Sequence, residues 1–120
     1  MDLFEWIKET EERAKEAPKT ARMRRLEAEF ATFHADNPHV YELFKRFIND
    51  VLRAGFQHYS ARAIFHRIRW FTHIETSDPT FKINNNHSPY YARMWMQDYP
   101  AHDGFFRIRE LRGALIEVDA

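Results

Sequence analysis

The chain has 120 residues, 44% of them apolar, with 11 phenylalanines, no cysteine, and 18 basic residues balanced by 18 acidic ones. That length suits one domain and that apolar fraction fills one core; disulfides, cysteine–zinc centres and wholesale disorder are excluded. No apolar run approaches the roughly 20 residues of a membrane span, and Met1-Asp2-Leu3-Phe4-Glu5 lacks the basic start of a secretory signal, so the expected place is the cytoplasm.

The first element is a helix over residues 2–17, with Leu3, Phe4 and Ile7 on one side and Glu5, Glu9, Glu12 and Glu16 among its acids. Its apolar stripe thins after Ile7, so residues 1–18 read as an acidic helix or arm. Residues 19–120 read as a single domain. Its first helix, about 19–35, sets Met23, Leu26, Phe30 and Phe33 at spacings of three, four and three. Lys19, Arg22, Arg24 and Arg25 crowd its start, against the macrodipole, and call for an anionic partner, either the acidic helix or an external one. Asn37-Pro38 predicts an N-cap and first residue for a helix to about Ala54, with Gly55 just past its end. Val40, Leu43, Phe44, Phe47 and Val51 give it a strong apolar face.

Ser60 predicts the cap of a helix to Ile74. Ala61, Ile64, Phe65, Ile68 and Phe71 form its apolar stripe, while Arg62, His66, Arg69 and His73 share another face. After a break, Phe81-Lys82-Ile83-Asn84 alternates like a short strand. Ser88-Pro89 predicts the cap and first turn of a helix to Tyr99, with Trp95 inside and Tyr90, Arg93, Met94 and Gln97 outside. Phe105 to Leu111 reads as a strand. The tail beyond Gly113 either pairs with it as a hairpin or frays. The expected fold is mainly α with a small antiparallel sheet, of winged helix-turn-helix type, carrying an N-terminal helical extension. The expected core holds Phe30, Phe33, Leu43, Phe44, Phe47, Val51, Ile64, Phe65, Ile68, Trp95 and Phe105.

Charge is unevenly spread. Residues 1–52 carry 9 basic and 11 acidic residues, residues 53–113 carry 9 and 5, and the last seven carry 0 and 2. The winged region is therefore basic between acidic flanks. The seven histidines show no i, i+4 pairing with a carboxylate companion, so no metal site is expected. No nucleophile elbow or phosphate-cradling glycine loop is present, so neither enzymatic activity nor a cofactor is expected. Asn84-Asn85-Asn86 is explained by turn chemistry, or alternatively by amides facing an anion at a helix start.

The runs NPHVYELFKRF, AIFHRIRWFT, FKINNNHSPYYARMWMQDYP and GFFRIRELR resemble small uncharacterised proteins of phage and prophage genomes, over about residues 30–112. The resemblance implies a phage or mobile-element setting, hence the cytoplasm of a host cell, and no particular activity.

Two functions are carried forward. One is a DNA-binding regulator contacting duplex DNA through Tyr90, Arg93 and Gln97 on a recognition helix, Arg62 and Arg69 on the helix before it, and Arg107 and Arg109 on the wing. The other is a protein-binding inhibitor or adaptor, such as an anti-defence protein, that blocks a host protein without touching DNA. It would use Glu5, Glu9, Glu12 and Glu16 in place of phosphates, with Tyr90 and Met94 as exposed contacts. A homodimer is left open.

Overall fold

A computed structural model describes residues 2–8 and 19–118. Residues 3–8 are helical, with the Asp2 carboxylate accepting from the Glu5 amide at 2.8 Å. The remainder of the expected N-terminal helix lies outside the described residues. Helix α1 (Ala21–Asp36) begins at Thr20, whose hydroxyl accepts from the Met23 amide. With no acid in its first turn, the cations there find carboxylates one or two turns along: Lys19 with Glu27 at 2.7 Å and Arg25 with Glu29 at 3.9 Å.

Helix α2 (Pro38–Arg53) opens on its proline as expected. Asn37 does not cap it. The Asn37 side-chain amide instead donates backwards to the Phe33 carbonyl at 3.0 Å, which also accepts from the Asn37 backbone amide at 2.9 Å, so Asn37 closes the end of α1. Gly55 follows with φ +92°, where a side chain would be strained. Helix α3 (Ala61–Trp70) is capped by the Ser60 hydroxyl and runs on into a wider π turn, Phe71–Glu75.

The strand expected at Phe81–Asn84 does not form. Its carbonyls are taken by side chains of α3 and the π turn instead of by a neighbouring strand: Arg69 donates to Ile83, and His73 Nε2 donates to Phe81 at 2.7 Å. A 3₁₀ turn, Asn85–His87, then leads into α4 (Ser88–Asp98). That turn moves the cap upstream. Asn84 accepts from the Asn86 amide, while Ser88, the expected cap, lies inside the helix and donates to the Asn85 carbonyl.

After a second 3₁₀ turn (Pro100–His102), β1 (Ile108–Leu111) and β2 (Ala114–Glu117) pair antiparallel, Ile108 opposite Glu117 and Leu111 opposite Ala114. The two-residue turn Arg112-Gly113 has φ +52° and +74°, the sign that matches a hairpin's twist. A Cβ at Gly113 would overlap the Thr20 hydroxyl, so the hairpin turn sits directly on the cap of α1. The strand begins at Ile108, three residues later than expected; Phe105, as expected, and Phe106 lie in the core, 4% and 1% exposed.

The molecule is thus mainly helical with a small hairpin wing packed on α4 and α1. Its core centres on Phe44, which meets Phe65, Tyr91 and Phe106 at ring distances of 5.6–6.1 Å. Of the expected core, Phe30, Phe33, Leu43 and Val51 are half-buried at the margin. No helix among the described residues is long and apolar enough to cross a membrane.

Candidate nucleic-acid interface

Helix α3 carries the basic face. At its start the Glu117 carboxylate accepts from the Ala61 and Arg62 amides, at 2.8 and 3.0 Å, beside the Ser60 cap. The free donors of that terminus are therefore occupied, and the base of the hairpin is fixed against it. The Val118 amide donates to the Arg107 carbonyl at 2.7 Å, which brings Arg107 to the same edge. Arg62 and His66 are exposed along the helix.

Arg69 is half-buried. One terminal nitrogen donates to the Ile83 carbonyl at 2.7 Å and to the Asn85 side-chain oxygen, and the other meets His66 Nδ1 at 3.3 Å. Burial holds the Arg69 pKa below its usual value, and the neighbouring Arg62 charge pushes it the same way. Arg69 and His73 therefore hold the segment 81–85 on the helix, and this segment presents Lys82 to solvent.

Ion pairing divides the cations. Lys19 and Arg93 share Glu27; Arg25, Lys45, Arg53 and Arg67 have Glu29, Glu42, Asp50 and Glu75. Among the described residues, Arg62, Arg69, Lys82, Arg107, Arg109 and Arg112 have no carboxylate partner within 4.0 Å. These follow one another along α3, the segment it holds, and the wing. Elsewhere Arg22, Arg24 and Arg46 also have no carboxylate partner among the described residues; Arg24 donates to the Lys19 carbonyl and Arg46 lies over the Phe47 and Phe71 rings.

Helix α4 is not an outward recognition helix. Seven of its residues are buried, including Tyr90, Tyr91, Trp95 and Met96. Tyr90, expected outside for DNA or for a protein partner, is 2% exposed and stacks on Phe30 at 5.6 Å. The reason is α1: it crosses over the face of α4 that a three-helix winged unit leaves open. The Tyr90 hydroxyl is buried with the Leu115 backbone amide nearby but, among the described residues, with no partner in full hydrogen-bonding geometry; burial pushes its pKa up and that amide pulls it the other way.

Arg93 is half-exposed and pairs with Glu27 at 3.5 Å, its guanidinium 5.6 Å from the Tyr90 ring centre. Met94 is half-buried against the core and Gln97 is exposed. Arg93 and Gln97 line a cleft of about 340 Å³ between α4 and β1, with Met96, Asp103, Phe106 and Ile108. Glu5 is exposed; Glu9, Glu12 and Glu16 lie outside the described residues.

Sequence reasoning missed Lys82, Glu27, Glu117 and Trp70. Trp70 had a usable signal: Ile64, Phe65 and Ile68 fix the inner face of α3, and a residue two positions after Ile68 points away from it. Glu117 had none, because a cap supplied 56 positions away in sequence follows only from the hairpin's docking. Among the described residues, no group of three or more His, Asp or Glu is placed to hold a metal ion. No family model, curated protein or solved structure matches the chain.

Proposed function

We propose that the chain binds DNA through its phosphates, as a small regulator in a phage or mobile-element setting, using α3, the segment 81–86 and the wing. The observation that carries this reading is that Arg62, Lys82, Arg107 and Arg109 are exposed along α3, the segment it holds and the wing, with no carboxylate partner within 4.0 Å among the described residues. An exposed guanidinium or ammonium without a carboxylate partner has its charge available to a phosphate. Arg107, Arg109 and Arg112 extend the cationic edge along the hairpin. Arg69 acts mainly by holding Lys82 and the asparagine turn in place, while Arg62, Arg107 and Arg109 supply the exposed charge. Arg93 and Gln97 flank the cleft beside the wing and do not enter a groove.

Fluorescence anisotropy with labelled DNA at several salt concentrations tests this. Affinity should fall steeply with salt, because each neutralised phosphate releases counterions. Arg62→Ala and Arg107→Ala should each weaken binding and lower the salt slope by about one. Absence of binding at low salt, or binding without a salt slope, overturns the reading.

One observation favours the protein-binding alternative: Leu3 and Phe4 are 71% and 76% exposed on the helical segment 3–8. An apolar helix face of this kind fits a groove on a protein partner. Capture of a stoichiometric protein that survives nuclease treatment and is lost in Leu3→Ser/Phe4→Ser would support it; capture unaffected by those changes would not.

A further inference from the structure

Trp70 is 59% exposed on α3. Ile64, Phe65, Ile68 and Thr72 are buried on the opposite side of the same helix and π turn, so the indole stands outward from the body. It makes no ring stack, cation–π contact or hydrogen bond with any described residue. Trp95 shows the contrast: it is 3% exposed and enclosed by Tyr99, His102, Phe105 and Phe106 at 5.3–5.6 Å. One turn before Trp70 lies His66, two turns before it Arg62, and one turn after it Ile74, also 59% exposed.

We propose that Trp70 is a stacking platform for an unpaired base, so that the nucleic acid this face takes is single-stranded or carries a single-stranded segment. This rests on the DNA-binding reading above and narrows its substrate class. In a duplex the faces of the bases are covered by their neighbours, and an indole standing on the outer face of a helix has nothing to stack on. An unpaired base offers its face, and base–aromatic stacking beside a cationic track is how sequence-tolerant single-strand binding is built. Arg62, exposed on the same helix, and Lys82, exposed on the segment that Arg69 and His73 hold against it, supply the cations of that track, both without a carboxylate partner among the described residues. The burial of α4 points the same way, because the helix that would read a major groove is committed to the core.

The test compares labelled oligothymidylate with a blunt duplex, using the full chain and its Trp70→Ala and Trp70→Phe variants. Circular dichroism checks that each variant is folded. The single strand should bind and quench the intrinsic fluorescence. Trp70→Ala should weaken that binding by about tenfold or more, Trp70→Phe should retain most of it, and blunt-duplex affinity should be unchanged in both.

If Trp70→Ala binds oligothymidylate like the parent chain, or loses single strand and duplex equally, the inference is overturned while the DNA-binding reading stands. If no nucleic acid binds at low salt, the underlying reading fails as well. If Trp70→Ala instead abolishes a nuclease-resistant association with a protein, Trp70 is a protein contact and the inference is wrong.

Discussion

Tyr90 and His87 are polar side chains held where water does not reach, and each has a measurable consequence. The Tyr90 hydroxyl is buried with no partner in full hydrogen-bonding geometry among the described residues, the Leu115 amide being near but not aligned. An orphaned buried hydroxyl costs about 1–3 kcal/mol, so Tyr90→Phe should leave stability unchanged or raise the urea midpoint. Because Tyr90 lies under α1, the same variant should bind DNA as the parent chain does. A loss of stability would mean that the hydroxyl has a partner after all. His87 is 9% exposed and stacks on Phe33 at 4.8 Å. Burial lowers its pKa below the usual imidazole value, with the Glu29 charge pulling weakly the other way. The folded state therefore prefers neutral His87, and the unfolded chain binds its proton more readily. The sign follows: this contribution is fully present above the unfolded pKa and is lost as the pH falls through the imidazole range. His87→Phe keeps a ring against Phe33 and removes the titration. The fall in urea midpoint from about pH 7.5 to pH 5 should be smaller in the variant. An unchanged slope would place the acid sensitivity elsewhere.

Elements in this chain are held at their ends by residues distant in sequence, and there the periodicity is least informative. The α2 and α3 helices formed where their stripes were expected, with Ser60 capping α3 and Pro38 opening α2, while the caps expected at Asn37 and Ser88 went to other contacts. The short strand expected at Phe81–Asn84 failed because alternation says nothing about whether a second strand is available. Arg69 and His73 supplied the missing donors from the helix side. The hairpin was readable from Gly113, but its docking was not, since that depends on Glu117 reaching the start of α3. Two amide bonds at 2.8 and 3.0 Å make Glu117 a capping carboxylate delivered by a strand. Glu117→Ala should cost about 0.5–2 kcal/mol, the range of a lost cap. Amide exchange should also speed up at Ala61 and Arg62 and along β2, because the cap and the hairpin's docking are one contact. Faster exchange at Ala61 alone would show that the hairpin is held by its apolar side only.

At the scale of the whole molecule, the helical class and hairpin were readable, and so was the deep centre of the core, because Phe44, Phe47, Ile64, Phe65 and Ile68 each sit on a clean stripe. The direction in which α4 faces was not. Tyr90, Tyr91 and Ala92 are all buried, because α1 lies on one side of α4 and the remaining helices on the other. A helix covered on two sides has no polar stripe from which to choose an outside, and the candidate site moved from α4 to α3 for that reason. The same packing makes the α2–α3 contact the place where the fold is most sensitive. Phe47 is 2% and Ile68 0% exposed. The Phe47 ring also meets Phe71 at 5.7 Å and carries the Arg67 guanidinium 4.4 Å from its centre. Phe47→Ala should cost about 3–5 kcal/mol and Ile68→Ala about 2–5 kcal/mol, through lost burial and the cavity left behind. Arg67 binds Glu75 across the π turn at 2.9 Å, so removing Phe47 takes away one of the two supports that fix this guanidinium. Phe47→Ala should therefore loosen the turn as well, and amide exchange at Phe71–Thr76 should rise more in it than in Ile68→Ala. Urea unfolding gives the two losses and exchange gives their distribution. A cost below about half a kcal/mol at both positions would show that α2 and α3 do not meet through these faces.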